Sequence, residues 1–302
     1  MPVNITLSAD VQAAKQNQRP IVALESTIIT HGMPYPANRD TALTVEATVR
    51  DNGAVPATIA VINGELRVGL DETTINRLSE AKDVMKLSRA DFAFAISQAR
   101  HGSTTVAATM IAAHLAGISV FATGGIGGVH RGAEQSFDIS ADLNEFTKTP
   151  VHVVSAGAKA ILDIPKTLEV LETLGVPVIT LGQKKLPAFW SRDSGIDSPL
   201  HLATVDNIAQ FIQSREAIQL SGGVLIANPV PKEAEIPKVV MDKIIATAIS
   251  ESDTAGITGK TVTPWLLNRI VELSSGRSLD TNKQLILNNA KIAAQLAVAL
   301  KH

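Results

Sequence analysis

Eight short apolar runs, at residues 21–24, 58–62, 65–68, 84–87, 118–121, 151–154, 178–181 and 224–227, alternate with stretches of helical periodicity punctuated by glycine. Most are too short to alternate between a wet and a dry face, so they read as strands buried on both sides. Strands of that kind need helices over each face of their sheet. The pattern therefore predicts an α/β protein with three α/β/α layers and a mostly parallel central sheet. Asn63-Gly64, set between two apolar arms, is the exception. That dipeptide suits the two left-handed positions of a tight hairpin, so at least one antiparallel pair makes the sheet mixed.

Helices are expected over 37–50, ending at Asn52-Gly53, over 91–100 with Ser88 as cap, and over 104–116, stopped by Gly117. Further helices are expected over 164–174, 205–220, 237–250, 264–273 and 281–300. The stretch 182–200, GQKKLPAFWSRDSGIDSPL, has no period. A loop of that length in a compact domain is either a lid or binding loop, or a surface excursion. No repeat, low-complexity tract or linker interrupts the chain, so a single unit over 1–302 is expected.

With 45% hydrophobic and 19% charged residues, a chain of 302 residues can fill a core, which excludes a disordered polyelectrolyte. A formal net charge of −2 provides no basic field, so neither nucleic acid nor a membrane surface is an expected partner. The absence of cysteine excludes disulfides, thiol catalysis and Cys-ligated zinc. The N-terminus lacks a basic region followed by an apolar one, and no apolar run approaches the roughly 20 residues that cross a bilayer. A cytoplasmic location is expected.

The densest chemistry lies at 118–142, ISVFATGGIGGVHRGAEQSFDISAD. Gly124, Gly125, Gly127 and Gly128 let a backbone approach a ligand closely and leave N–H groups to hold an anion. His130 and Arg131 add charge, and Asp138, Ser140 and Asp142 add oxygens for a metal or for sugar hydroxyls. A small phosphorylated, hydroxylated substrate fits that mixture. An ordinary glycine turn fits the glycines alone.

Glu25 directly follows an apolar strand, where open α/β sheets carry ligand-binding groups. It is a candidate proton donor or a plain turn cap. Lys159 follows another strand through small residues near an expected helix start. Desolvation and a helix N-terminus would both favour its neutral, nucleophilic amine, whereas most lysines in such places reach out to solvent. Lys86 can meet a phosphate as a point charge or protect a sheet edge. The start of helix 104–116 can turn N–H groups and hydroxyls to the same ligand. No HExxH or EF-hand pattern occurs; a hard divalent ion held by Asp138 and water remains open.

Several long motifs together, ALESTIITHGMPYP, GAVPATIAVI, TTVAATM, FATGGIGGVHRGAEQSFDISADL and VVSAGAKAILD, resemble the pseudouridine-5′-phosphate glycosidases, also called indigoidine synthase A-like proteins. The likeness runs from about Val22 to the C-terminal helix and includes NPVP at 228–231, TPWLL near Thr263 and LDTNKQLILNNA at 279–290. It implies an enzyme that reversibly splits pseudouridine 5′-phosphate into uracil and ribose 5-phosphate, with a divalent metal, usually Mn2+, in a homotrimer of α/β/α subunits. By the same resemblance the proton donor is Glu25, the nucleophile Lys159 and the metal ligand Asp138. Substrate contacts fall on Lys86, Val106, Thr123, His130, Ser140, Ala141, Asp142 and Asn282.

That chemistry accounts for a lysine. A carbon-linked base has no glycosidic heteroatom to protonate, so the paired carboxylates of ordinary glycosidases have no purchase. Attack by Lys159 on the anomeric carbon, with Glu25 assisting ring opening, is expected to give an open-chain imine adduct that releases the pyrimidine once its ring carbon is protonated. The glycine loop and His130 are expected to hold the phosphate. A class-I-like sugar-phosphate aldolase or lyase, or a non-catalytic sugar-phosphate binding protein, are the alternatives.

Overall fold

Among the described residues, eleven strands join in one sheet: β1 (Ile5–Leu7), β2 (Ile21–Leu24), β3 (Val55–Ile62), β4 (Glu65–Val68), β5 (Met85–Leu87), β6 (Gly102–Thr104), β7 (Val120–Ala122), β8 (His152–Ser155), β9 (Val178–Leu181), β10 (Leu200–Leu202) and β11 (Leu225–Ala227). The computed structural model describes residues 5–301, so the ends of the unit expected over 1–302 lie outside the described residues. The order is β1-β4-β3-β2-β7-β8-β11-β9-β10, with β6 joined to β3 and β5. Every pairing is parallel except those of β3 with β4 and with β6. The sheet is therefore mixed and mostly parallel, as the apolar runs required.

The hairpin forms at the expected place. Ile62 faces Glu65, and the turn between them holds Asn63 at φ 52° and Gly64 at φ 76°. Both values lie in the left-handed region that a two-residue hairpin of matching twist demands.

β3 changes partners along its length, and that change creates the site. Its first half, Val55 to Thr58, pairs with β2, which ends at Leu24. Beyond that point β6 takes the same side, with Ser103 opposite Ala60 and Gly102 opposite Val61. At the junction the Ile59 carbonyl would lack a ladder partner in the buried interior. Two hydroxyls donate to it instead, Ser26 Oγ at 2.6 Å and Thr104 Oγ1 at 2.8 Å. The seam brings β5, which carries Lys86, close to the end of β2.

Helices flank the sheet. Ala37–Asp51 packs on Arg277–Ala299, which lies across β2, β7 and β8. Val106–Leu115 packs on Ala141–Lys148 and against β7, β2 and β3. The core between these layers is continuous from Val11 to Ala297 and includes Phe121, Phe146, Met110 and Trp190, all buried.

Some boundaries differ from expectation for physical reasons. The helix expected over 104–116 begins at Val106, because Thr104 is the last residue of β6 and Thr105 is the cap, accepting from the Ala108 N–H. The helix expected over 91–100 spans Arg89–Ser97, and Ser88 caps it through a reciprocal pair with Asp91. Three strands were not expected: β1, β6 and β10, each three residues long. β6 reads Gly-Ser-Thr, so its pairing comes from neighbours and not from apolar content, while β1 (Ile-Thr-Leu) and β10 (Leu-His-Leu) are too short to show a pattern.

Candidate active site

β2 and β7 are neighbours whose connections leave in opposite directions, β2 toward β3 and β7 toward β8. In open α/β sheets such a switch point opens a crevice beyond the carboxyl ends of the strands. Glu25 extends from the end of β2, the Thr123 to Gly128 segment from β7, and Lys159 from the loop after β8. They meet at a cavity of about 360 Å³, within the range typical of small-molecule sites.

Of the residues singled out in the sequence, Glu25, Lys86, Val106, His130, Asp138, Ser140, Asp142, Lys159 and Asn282 all line this cavity. Thr123 and Ala141 do not reach its wall. Thr123 is fully buried, and its hydroxyl donates to one oxygen of Glu25 while Thr27 donates to the other. Ala141 is exposed on the far side of its helix. Arg131 is likewise exposed and takes no part in the wall.

The Lys159 side chain is half-buried, and its Nζ donates to the Gly125 carbonyl at 2.9 Å. The expected helix start is not beside it, since the next helix begins at Ile164 with Asp163 as cap. Burial, not a helix dipole, shapes its surroundings. Three residues beyond Lys86, Arg89 forms a bidentate pair with the buried Glu145 at 2.6 and 2.7 Å, tying the start of its helix to helix Ala141–Lys148.

None of Gly124, Gly125, Gly127 and Gly128 has a left-handed φ, and one of their N–H groups, that of Gly127, is already taken by a carboxylate of the protein itself. Asp142 accepts from Gly127 N at 2.8 Å and from Ala107 N, in the first turn of helix Val106–Leu115, at 2.9 Å. One buried carboxylate thus pins the loop to the helix N-terminus. The glycines are needed for space. A Cβ on Gly127 would sit 2.3 Å from Ser140 Oγ, one on Gly128 would sit 2.4 Å from Thr167 Oγ1, and one on Gly125 would sit 2.7 Å from the Phe189 ring.

Charge is concentrated at one end. Burial holds His130 below the usual imidazole range; Asp138 draws it back up, while Lys159 and Lys86 push with burial. Burial, helped by Lys86, also lowers His31. Both imidazoles are thereby held neutral beside cationic side chains, an environment that welcomes an anion. His130 Nδ1 lies 3.9 Å from Asp138 Oδ2. Among the described residues no three His, Asp or Glu side chains cluster as a metal cage.

Toward Gly124 and Gly125 the wall is apolar, with Phe189 and Leu285 against those glycines; Leu162, Ile286 and Asn282 also line the cavity. The Asn282 Oδ1 is buried and has no hydrogen-bond partner, and Asn282 is on the cavity wall. Phe189 belongs to the aperiodic stretch 182–200, which is packed: Leu186, Ala188, Phe189, Trp190 and Ser191 are all buried. Thr27, His31 and Phe189 were passed over in the sequence. Thr27 and His31 sit in and beside a one-turn π-helix, Ile28–Gly32, whose Ile28-Ile29 pair reads as more strand; such single π turns are frequent at functional sites.

The family described as Indigoidine synthase A like protein matches residues 10–299 of the chain. A protein of Paracoccus denitrificans (strain Pd 1222) named pseudouridine-5′-phosphate glycosidase is 60% identical over 302 residues, 99% of each chain. The crystal structure of the prealnumycin C-glycosynthase AlnA in complex with ribulose 5-phosphate superposes with a TM-score of 0.91 at 37% identity, covering 99% of this chain and 97% of that one. An indigoidine synthase A (IdgA)-like protein from Thermotoga maritima superposes with a TM-score of 0.89 at 30% identity, with the same coverage.

Proposed function

The chain belongs to the Indigoidine synthase A like family, and from that membership and the geometry of its cavity we propose that it is an enzyme that reversibly cleaves the C-glycosidic bond of pseudouridine 5′-phosphate, giving uracil and ribose 5-phosphate. The observation that carries this reading is a single cavity lined by a lysine amine from beyond β8 and a carboxylate from beyond β2, two strands separated only by β7, together with Lys86, His130 and apolar side chains that include Phe189 and Leu285. A phosphate at Lys86 and His130 puts the far end of the pentose toward Lys159. A planar base then lies along the apolar wall.

The reaction needs an electron sink on the sugar. Lys159 adds to the anomeric carbon, the ring C–O bond opens, and Glu25, oriented by the Thr27 and Thr123 hydroxyls, delivers the proton to the ring oxygen. The proton that Nζ sheds on forming the new C–N bond returns to Glu25, which passes it to the pyrimidine carbon; the carbon–carbon bond then breaks and the sugar is left on Lys159 as a protonated imine. Water hydrolyses that imine to ribose 5-phosphate and the free amine. Binding energy from the phosphate, far from the bond that breaks, positions the reacting carbon.

A divalent ion, Mn2+ by resemblance, fits Asp138 as a single protein ligand whose side chain is 44% exposed, the remaining positions going to water and substrate oxygens, where it would neutralise phosphate charge. The proposal extends to a homotrimer in the cytoplasm. Phe137, 82% exposed, and Val239, 72% exposed, are surface side chains that a second copy would cover, and light scattering would read the mass against 31.8 kDa per chain.

The decisive test is incubation with pseudouridine 5′-phosphate and manganese, with detection of free uracil. An aldolase or a binding protein would release none. Borohydride should trap ribose 5-phosphate on the wild-type chain, and Lys159→Ala should abolish the adduct; an unchanged adduct mass would remove Lys159 from the mechanism.

A further inference from the structure

We propose that the Phe189 ring is the surface on which the planar base lies, so that this residue selects an aromatic ring at the reacting end of the cavity. The inference rests on the reading above, in which Lys159 attacks the carbon that carries the base.

Phe189 and Lys159 flank the same glycine. The Lys159 amine donates to the Gly125 carbonyl at 2.9 Å. The Phe189 ring lies so close over Gly125 that an added Cβ would stand 2.7 Å from both Cδ2 and Cε2. The anomeric carbon must bond to Nζ while still joined to the base. The base therefore leaves from beside Lys159, and Phe189 is the aromatic side chain on the cavity wall there.

The backbone holds the ring in place against its own preference. Phe189 has φ 58°, the left-handed region that a bulky L residue avoids. Its N–H donates to Ala156 O at 3.1 Å, and the flanking Ala188 and Ser191 form a bridge. Trp190, fully buried, meets the ring edge-on with centroids 4.8 Å apart and is itself held by Nε1 donating to Ser278 O at 3.1 Å. A side chain that merely filled space could do so from relaxed backbone. Phe189 is 4% exposed, and the part of its ring on the cavity wall is a preset aromatic partner that costs little entropy on binding.

Helix Arg277–Ala299 completes the reading. Asn282 and Leu285, three residues apart, share one face of it, and Leu285 reaches Gly124 from that side. The unpartnered Asn282 Oδ1 gives an acceptor for a ring N–H at the edge of the apolar surface. Flat, apolar in face and hydrogen-bonding at its edge is the description of a pyrimidine imide.

The test uses the reverse reaction, in which the full-length enzyme joins uracil to ribose 5-phosphate and the two KM values are read separately. Phe189→Leu should raise the KM for uracil about fivefold to tenfold while changing that for ribose 5-phosphate less than about twofold, and Phe189→Tyr, which keeps the ring, should restore the uracil value. A wild-type measurement is independent of variant folding: 5,6-dihydrouracil has the same imide edge but a puckered ring, and as an inhibitor it should bind at least about fivefold more weakly than uracil. Equal binding of the two rings, or equal shifts in both KM values for Phe189→Leu, overturns the role of Phe189 and leaves the activity standing. A wild-type enzyme that makes no uracil from pseudouridine 5′-phosphate overturns the activity itself, and this inference with it.

Discussion

Asp142 holds two backbone N–H groups from different elements with its two oxygens. Its removal strands both donors in the interior, each at a cost of about 1–3 kcal/mol. Asp142→Ala should therefore lower stability by about 2–6 kcal/mol in urea unfolding and weaken substrate binding, since the loop and the helix lose their common anchor. His152 on β8 provides a second test at this scale. It is almost fully buried, its Nδ1 has no partner, and burial, with a smaller push from Arg215, lowers it to about 4 from 6.5. The unfolded chain takes up this proton near 6.5 but the native state only near 4, so stability is complete above the higher value and is lost as pH falls between the two. The shift corresponds to about 3 kcal/mol at 1.36 kcal/mol per unit. The drop in unfolding free energy from pH 7.5 to 4.5, read from urea titrations, should be smaller in His152→Gln than in wild type by an amount of that order; parallel profiles would show that His152 does not carry it. Glu25 and Lys159 were legible as candidates because each follows an apolar run closely. Phe189 was not, since neither its left-handed backbone nor its place over Gly125 leaves a mark in the letters around it.

The hairpin at Asn63-Gly64 was the element most securely read, and the fold gives its glycine a second reason. Gly64 has φ 76°, and an added Cβ would sit 2.6 Å from Ile96 O and 2.8 Å from Ala99 Cα, at the end of helix Arg89–Ser97. Left-handed geometry alone costs about 1–2 kcal/mol in a residue with a side chain. Gly64→Ala should exceed that, because backbone atoms cannot step aside, while Asn63→Gly should stay within about 0.5 kcal/mol at a position where either residue adopts the turn; thermal melts of the two variants check the contrast. The glycine-rich segment adds a second reason for its composition. Gly124, Gly125 and Gly127 line the cavity, and Gly125, Gly127 and Gly128 also approach Phe189, Ser140 and Thr167 too closely for a Cβ, a packing demand that the letters alone do not distinguish from ligand approach. Helix Ala141–Lys148 was hidden inside a stretch scanned for ligand oxygens, although Ser140, with its side chain accepting from Asp142 N, is an ordinary cap.

At the scale of the molecule, the site assembles residues as far apart in sequence as Glu25 and Asn282, so ligand binding should be felt globally. Ribose 5-phosphate at a hundredfold excess over its dissociation constant should stabilise the native state by about 2.7 kcal/mol, read as a rise in melting temperature that Lys86→Met reduces. A wild-type melting temperature indifferent to ribose 5-phosphate would detach the cationic end of the cavity from phosphate binding. Local pattern alone determined the class of fold: short, doubly buried apolar runs between amphipathic stretches need helices on both faces, and Asn-Gly can hardly do other than turn. Local pattern also marked which charged residues stand just past strand ends. What it could not contain is the order of the strands, because three-residue strands such as β6 pair by virtue of neighbours brought to them from elsewhere in the chain. From that order alone follow the seam where β6 succeeds β2, the cavity beyond it, and the meeting of Lys159 with Phe189 across one glycine. Periodicity is a property of adjacent residues, whereas a site is a property of distances through space, and those are decided only when the core closes.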